Sequence, residues 1–161
     1  MLIAQTTRIL FFMLNTDITP EILNQGSHNH MVGHVGIEVT EVGEDYICGK
    51  MPVDKRTHQP MGLLHGGASV VLAETLGSIA ATLAVDPKKY FCVGLEINAN
   101  HVRGVREGYV YGKATPLHVG RSTQVWQINI TNEEDKLVCT SRITMAVREI
   151  KRTTDKPLYE K

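Results

Sequence analysis

One long apolar segment, residues 65–84, limits the possible folds of this chain more than any other feature. Its apolar residues recur at helical spacing and it stops before Asp86-Pro87, so it predicts a single long helix. Strand-like segments follow in an unbroken row, at roughly 91–103, 107–117, 122–132 and 136–148. A helix followed by several consecutive strands favours an α+β architecture, in which an antiparallel sheet carries the helix on one face.

The residues before the long helix predict a short helix and a pair of strands. Thr19 is a suitable N-cap and Pro20 a suitable first helical residue, and this helix should end near Gly26. Residues 35–42 and 46–53 alternate loosely between apolar and polar side chains and are separated by turn residues. With the four later segments, the sequence thus predicts two strands before the long helix and four after it.

The chain of 161 residues has no internal repeat, low-complexity segment or linker, and its length suits one domain. We expect that domain to occupy residues 16–150. Residues 1–15 are predicted to be an N-terminal extension, mobile or loosely docked, and residues 151–161 a polar C-terminal tail.

The charge balance argues against a nucleic-acid partner or an acidic membrane surface. Lys plus Arg and Asp plus Glu both number 17, so the chain has no net field that would gather such partners. No apolar run approaches the ~20 residues that a membrane-spanning helix needs. The short apolar stretch 9–14 is also too short and poorly flanked for a signal peptide.

The cysteines and histidines do not predict a metal site. Three cysteines lie far apart with no CxxC pair, which favours reduced thiols in a cytoplasmic protein over disulfides or zinc. His28, His30 and His34 are crowded together but have no cysteine among them, and a solvent-facing cluster is the expected arrangement. We expect neither a metal nor another cofactor.

Glu74 is the side chain in the long helix that most needs an explanation. It is the only formally charged residue from Gly62 to Val85. It could point at solvent on an amphipathic helix, but a solvated face normally carries several charges. A carboxylate among small and apolar residues is a candidate nucleophile or base, because desolvation makes its ionised form more reactive. Ser78 is four residues further on and can meet it on the same face.

Helical spacing divides the long helix into two faces. One face should pack on the sheet and comprises Val71, Leu72, Thr75, Leu76, Ile79, Ala80 and Leu83. The other carries mostly small residues that would let a ligand or a second chain approach, and comprises Gly67, Val70, Glu74, Gly77, Ser78 and Ala81.

The start of the long helix offers a second reactive feature. In His65-Gly66-Gly67, backbone N–H groups and the positive end of the helix dipole could hold the oxyanion of an acyl-transfer intermediate. Gly66 and Glu74 are eight residues apart, which corresponds to about 12 Å along a helix. One helix can hardly aim both groups at one carbonyl carbon, so the spacing suggests that Glu74 of one chain faces Gly66 of another.

Several stretches together resemble a known family. They are QPMGLLHGGASVVLAETLGSIA, VGLEINANHVRGVREG, PLHVG and QVWQINI, and the likeness covers roughly residues 17–149. The chain resembles the hotdog-fold acyl-CoA thioesterases whose catalytic glutamate lies in the central helix. Within this group the likeness is greatest to members of menaquinone and enterobactin synthesis. The resemblance implies a five- or six-stranded antiparallel sheet wrapped around the helix, and a dimer or dimer of dimers with sites between subunits.

The resemblance also implies roles for individual residues. Glu74 would attack the thioester carbonyl or activate the water that does, and the Gly66 N–H would bind the oxyanion. Gln59 would hydrogen-bond near the thioester, His65 would lie beside the acyl carbonyl, and Ser78 would orient water or the carboxylate. A neutral amide suits the Gln59 position because it donates without bringing a competing charge.

Coenzyme A also requires basic groups for its phosphates. Period-two spacing places four apolar residues of the strand 91–103 on one face that continues into His101 and Arg103; these are Val93, Leu95, Ile97 and Ala99. His118 and Arg121 flank a turn and are further candidates, since the arginine fork suits phosphate.

The function implied is hydrolysis of an aromatic acyl-CoA, with 1,4-dihydroxy-2-naphthoyl-CoA as the first substrate to consider. The same carboxylate would serve a covalent anhydride or a water-mediated route. A non-catalytic acyl-CoA-binding protein with this fold is an alternative, although a binder has no need of an isolated carboxylate. A hotdog hydratase or dehydratase is a further alternative. Such chemistry would require an Asp/His pair, and this chain has none at the start of the long helix.

Overall fold

The computed structural model describes residues 14–27 and 29–151. Its elements are α1 (Pro20–Gln25), α2 (Met31–Val35), β1 (Glu38–Val42), β2 (Ile47–Pro52), α3 (Gly66–Leu83), β3 (Tyr90–His101), β4 (Tyr109–Val119), β5 (Thr123–Asn132) and β6 (Leu137–Glu149). The six strands form one antiparallel sheet in the order β1-β2-β4-β5-β6-β3, and α3 packs across one face of it. The predicted α+β architecture is confirmed.

The region before β1 departs from the sequence prediction. Residues 31–35 form the five-residue helix α2, so β1 begins at Glu38 and not at Val35. Gly36 ends α2 in the left-handed conformation, with φ of 76°, and its N–H bonds to the Gly33 carbonyl. A single turn that contains glycine and valine carries little helical signal, which explains why periodicity missed it.

The face of α3 that contacts the sheet is displaced from the predicted one. Its buried residues are Ser69, Leu72, Ala73, Leu76, Gly77, Ala80 and Ala81, at the spacing of a core-facing stripe. A Cβ added at Gly77 would lie 2.5 Å from Cγ2 of Ile143, so the absent side chain permits close helix–sheet contact. Gly77 and Ala81 therefore serve the core and not the open face to which the sequence assigned them. Gly67, Val70, Glu74 and Ser78 remain outside the buried stripe.

A bulge changes which side chains of β3 face α3. The register with β6 shifts between Gly94 and Glu96, which leaves Leu95 as the extra residue. Ile97 packs against the core, whereas Val93 lies on the opposite face and is exposed. The predicted continuous apolar face from Val93 to Ala99 is therefore wrong, because one inserted residue inverts the alternation.

The boundary of the packed domain lies slightly before the predicted one. The Leu14 side chain is only 4% exposed, and the Leu14 N–H donates to the Glu44 carbonyl at 2.7 Å. The Asn15 N–H donates to the Leu83 carbonyl, so both residues belong to the domain and not to an extension. Residues 1–13 of the predicted extension and 152–161 of the predicted tail lie outside the described residues.

The length and composition of α3 would allow it to cross a membrane. In this fold the helix instead contributes a buried stripe to the core that it shares with the sheet. The apolar character of α3 is thus explained by its packing. The three cysteines are free thiols, and burial raises the pKa of Cys92 to about 11.

The two edges of the sheet differ in how they are covered. At β1, the Asn24 side chain accepts a hydrogen bond from the Val39 N–H and donates one to the Val39 carbonyl, both at 2.9 Å. These bonds reproduce the pair that a neighbouring strand would make. At the other edge, β3 pairs only with β6, and no described residue pairs with its outer side.

Candidate active site

Glu74 lies midway along α3, half-buried, and faces the β3 edge of the sheet. The Ser78 hydroxyl donates to Glu74 Oε1 at 3.2 Å, a contact that the i, i+4 spacing predicted. This bond fixes one carboxylate oxygen. The carboxylate is thus oriented, but it is not neutralised by a salt bridge to any described residue.

Gly94 belongs to the candidate site but was not predicted from the sequence. A Cβ added at Gly94 would lie 2.8 Å from Glu74 Oε1, so the carboxylate rests directly against this glycine. The bulge at Leu95 begins at the same point. A glycine inside a strand pattern often marks a bulge or a close approach, and this signal was present in VGLEIN.

The start of α3 is capped by a histidine. His65 is the N-cap, and its Nδ1 accepts a hydrogen bond from the Gly67 N–H at 2.8 Å. Because a backbone N–H can only donate, Nδ1 must be unprotonated and Nε2 carries the ring proton in the neutral form. The Gly66 N–H has no hydrogen-bond partner within residues 14–27 and 29–151. A donor at a helix N-terminus is thus left for an oxyanion.

An open pocket of about 420 Å³ adjoins this helix start. It is lined by the loop before α3, the first turn of α3, the segment after β3 and the start of β6. The predicted site residues that line it are Gln59, Gly66, His101 and Arg103. The structure therefore brings together four of the nine residues that the sequence singled out.

The side-chain amide of Gln59 is held in one orientation. Gln59 Oε1 accepts a hydrogen bond from the Met61 N–H at 2.5 Å. The oxygen is thereby occupied, and the amide NH₂ group is left as the donor. The turn that contains Gln59 is closed by a second bond, from the Gly62 N–H to the Gln59 carbonyl at 2.9 Å.

His101 and Arg103 occupy the opposite wall of the pocket. A Cβ added at Gly66 would lie 2.8 Å from His101 Nε2, so the imidazole stands against the helix start. Arg103 is exposed, and its Nε donates to the Leu137 carbonyl at 3.3 Å. The terminal guanidinium nitrogens remain able to bind an anion.

His118 and Arg121 lie far from this pocket within the chain. They flank the β4–β5 turn, which the Gly120 N–H closes onto the Thr123 carbonyl. The nearby Gln124 amide donates to the Ala81 carbonyl, which places the turn at the C-terminal end of α3. Gly66 is at the other end, so one chain does not unite these two basic residues with His101 and Arg103.

The described residues contain no group of three or more His, Cys, Asp or Glu side chains that could hold a metal ion. His30 and His34 are among the residues described, whereas His28 of the same predicted cluster lies outside them.

The geometry thus divides into two half-sites on one helix. Glu74 with Ser78 faces the β3 edge, whereas the Gly66 donor opens into the pocket with Gln59, His101 and other residues. Neither Glu74 nor Ser78 lines that pocket. A carboxylate and an oxyanion donor are the two groups that thioester hydrolysis requires.

Comparisons with known proteins identify the family. The model of the thioesterase superfamily matches residues 61–139. The chain is 53% identical to the 1,4-dihydroxy-2-naphthoyl-CoA hydrolase of Escherichia coli, over 81% of this chain and 95% of that protein. It is 51% identical to the proofreading thioesterase EntH of Cronobacter turicensis, over 81% and 94%.

A solved structure agrees with this assignment. The crystal structure of the thioesterase HI1161 from Haemophilus influenzae superposes with a TM-score of 0.85 at 50% identity, covering 89% of this chain and 99% of that one. The similarity therefore extends over the whole domain and is not confined to one motif. The chain therefore belongs to the thioesterase superfamily of hotdog-fold proteins and is a thioester hydrolase.

Proposed function

We propose that this chain hydrolyses an aromatic acyl-CoA, with 1,4-dihydroxy-2-naphthoyl-CoA as the preferred substrate, to the free acid and coenzyme A. The observation that carries the proposal is the placement of Glu74. Its carboxylate is half-buried, fixed by Ser78, pressed against Gly94 and free of any salt bridge among the described residues. The named activity of the Escherichia coli relative supports the substrate.

Glu74 can act on the thioester in two ways. As a nucleophile, its carboxylate oxygen attacks the carbonyl carbon, the C–S bond breaks, and water then cleaves the resulting anhydride. As a general base, it takes a proton from the water that attacks the same carbon. In both routes the carbonyl oxygen becomes negative, and the Gly66 N–H at the positive end of α3 stabilises it.

The pocket residues bind the remainder of the substrate. The Gln59 NH₂ group donates to the thioester, and Arg103 with His101 binds the phosphate groups of coenzyme A. His65 directly precedes Gly66 in the sequence, and its Nε2–H donates near the acyl carbonyl. Its Nδ1 accepts the hydrogen bond that caps α3. No step uses a metal or a redox cofactor.

The complete site is formed between two chains. Gly66 and Glu74 are separated by about two turns of α3, or about 12 Å along the axis. Glu74 faces the β3 edge, whose outer side has no partner among the described residues, and that edge exposes 57% of Leu95. A second copy at this edge brings its own Gly66 to Glu74, which gives a homodimer with two equivalent sites.

An assembly of several chains would also bring together the two pairs of basic residues that one chain keeps apart. His118 and Arg121 lie at the end of α3 opposite to His101 and Arg103, so they reach the nucleotide only from another subunit. A dimer of dimers would supply such a contact. The free thiols accord with a cytoplasmic enzyme.

The experiment that tests this function is release of coenzyme A from a panel of thioesters. The panel contains 1,4-dihydroxy-2-naphthoyl-CoA, benzoyl-CoA and a medium-chain fatty acyl-CoA. Wild type should prefer the naphthoyl ester, and Glu74→Gln should lower kcat by about 10³-fold, because the amide keeps the shape and loses the charge.

The control is binding of the unreacted ester to Glu74→Gln, which should persist. A preference for the fatty acyl ester would contradict the proposed substrate. Equal turnover by wild type and Glu74→Gln would contradict the role of Glu74.

A further inference from the structure

The pocket beside Gly66 has two walls that meet at a seam. One wall is the loop of residues 57–64, and the other is the segment of residues 101–106 that follows β3. The Leu64 N–H donates to the Val105 carbonyl across the seam at 2.8 Å. The Leu63 side chain packs against Gly104, where an added Cβ would lie 3.3 Å from Leu63 Cδ2.

A side-chain hydrogen bond also crosses this seam, from His58. Its Nε2 lies 2.8 Å from the carbonyl oxygen of Arg106. Because a carbonyl can only accept, His58 Nε2 must carry the proton. Both the neutral ring with its proton on Nε2 and the imidazolium ion can make this bond, so ring protonation does not break it.

His58 adjoins Gln59 at the start of a tight turn. The Gln59 N–H donates to the Leu63 carbonyl at 2.8 Å, and the Met61 N–H donates to Gln59 Oε1. The turn therefore holds the Gln59 amide as a rigid unit, but it does not fix the distance of that unit from the facing wall. The Leu64–Val105 bond holds the far end of the turn to that wall, and the bond from His58 to Arg106 adds a second tether one residue from Gln59.

We propose that His58 is a positioning residue for the pocket. Its bond to the Arg106 carbonyl acts with the Leu64–Val105 bond to set the separation between the two walls. Gln59 stands on one of these walls, and His101 with Arg103 on the other. The inference rests on the proposed function, because it assumes that Gln59 donates to the thioester. Preorganisation of this kind matters because small displacements of a hydrogen-bond donor cost catalytic rate.

The chain offers a matched pair of variants to test this role. In His58→Gln the side-chain nitrogen has about the same reach as imidazole Nε2, so the donor to Arg106 is kept. In His58→Asn the same amide is one methylene shorter and cannot reach. We expect His58→Asn to lower kcat/KM by about 5- to 10-fold and His58→Gln to stay within about 2-fold of wild type.

A double-mutant cycle distinguishes positioning from a general structural role. If His58 acts through Gln59, His58→Asn should have almost no further effect on kcat/KM in a Gln59→Ala background. Because His58→Asn loses the bond to Arg106, it should unfold only about 2–4 °C below His58→Gln, so both variants remain folded under the assay conditions. Equal losses of kcat/KM from His58→Asn in both backgrounds would overturn the proposal, as would a kcat/KM for His58→Asn equal to that of wild type.

Wild type and Glu74→Gln, assayed in parallel, separate this test from that of the proposed function. Absence of Glu74-dependent hydrolysis in wild type would overturn the proposed function and this inference together. Glu74-dependent hydrolysis that is sensitive to Gln59→Ala but insensitive to His58→Asn would overturn only this inference.

Discussion

The two edges of the sheet differ in whether their outer backbone groups have hydrogen-bond partners among the described residues. At β1, the amide of Asn24 forms both hydrogen bonds with Val39 that another strand would form. At β3, twelve residues run along the edge with their outer side unpaired among the described residues, and Val93 and Leu95 are exposed. An unpaired edge is a template for another strand, so folded chains usually cover or disrupt it.

The difference supports the proposal that a second chain binds at the β3 edge. A chain that covers one edge and leaves the longer one open directs association to the open edge. Glu74 faces that open edge through Gly94, whereas no proposed site residue lies at the covered edge. The edge that remains open to another strand is also the edge that Glu74, the proposed catalytic carboxylate, faces from α3.

The largest effect in this comparison is expected for Gly94→Ala at the open edge. The new Cβ would lie 2.8 Å from Glu74 Oε1, and the carboxylate must move away. Because the displaced atom ends a flexible side chain, the fold should persist while kcat falls by about 10²-fold. Steady-state kinetics and thermal unfolding of the same preparation measure the two effects.

Gly26→Ala is the matched control at the covered edge. An added Cβ there meets nothing within 4 Å, and Gly26 has ordinary right-handed backbone angles. This variant should retain wild-type kcat. A normal kcat in Gly94→Ala would show that Glu74 does not act from the position that this structure gives it.

A smaller effect is expected for Leu95→Lys, which places a charge on the open edge. Leu95 is 57% exposed in the single chain and should be covered in the dimer. A lysine there should weaken association and lower activity by about 10-fold at low protein concentration, with recovery at high concentration. Light scattering and kinetics over a range of concentrations measure both. Unchanged mass and activity would place the second chain elsewhere.

The smallest effect is expected for Asn24→Ala at the covered edge. The variant loses two hydrogen bonds to Val39, which should lower the free energy of unfolding by about 1–2 kcal/mol. Activity at low temperature should not change, because α1 contributes no residue to the pocket beside Gly66. Gln25→Ala, at an exposed position on the same helix, is the control for helix propensity. Equal stabilities of the two variants would contradict the edge-covering role of Asn24.

Much of the fold and part of the site follow from local sequence patterns. The bounds of α3 and the row of four strands depend on periodicity and turn residues, which act over short distances. Glu74 could be found because it is an isolated charge in an apolar helix, and its contact with Ser78 follows from helical spacing. The open donor at Gly66 follows from the geometry of any helix start.

The features that were missed depend on contacts between distant segments. We extended the period-two alternation of β3 through Leu95, but a single inserted residue inverts it. Gly94 was the signal in the sequence that could have indicated the bulge. The tether of His58 to Arg106 joins residues 48 positions apart, so no local pattern contains it. The separation of His118 from His101 likewise follows from strand order.

The central claim is that one active site uses Glu74 of one chain and Gly66 of another. It is tested most directly with heterodimers of Glu74→Gln and Gly66→Pro, purified through two different affinity tags. Proline suits the first residue of α3 and removes its N–H. Each parent homodimer should be inactive, whereas the heterodimer has one intact site and should recover about half of the wild-type activity per dimer. A heterodimer as inactive as its parents would show that both groups act within one chain and would contradict the account.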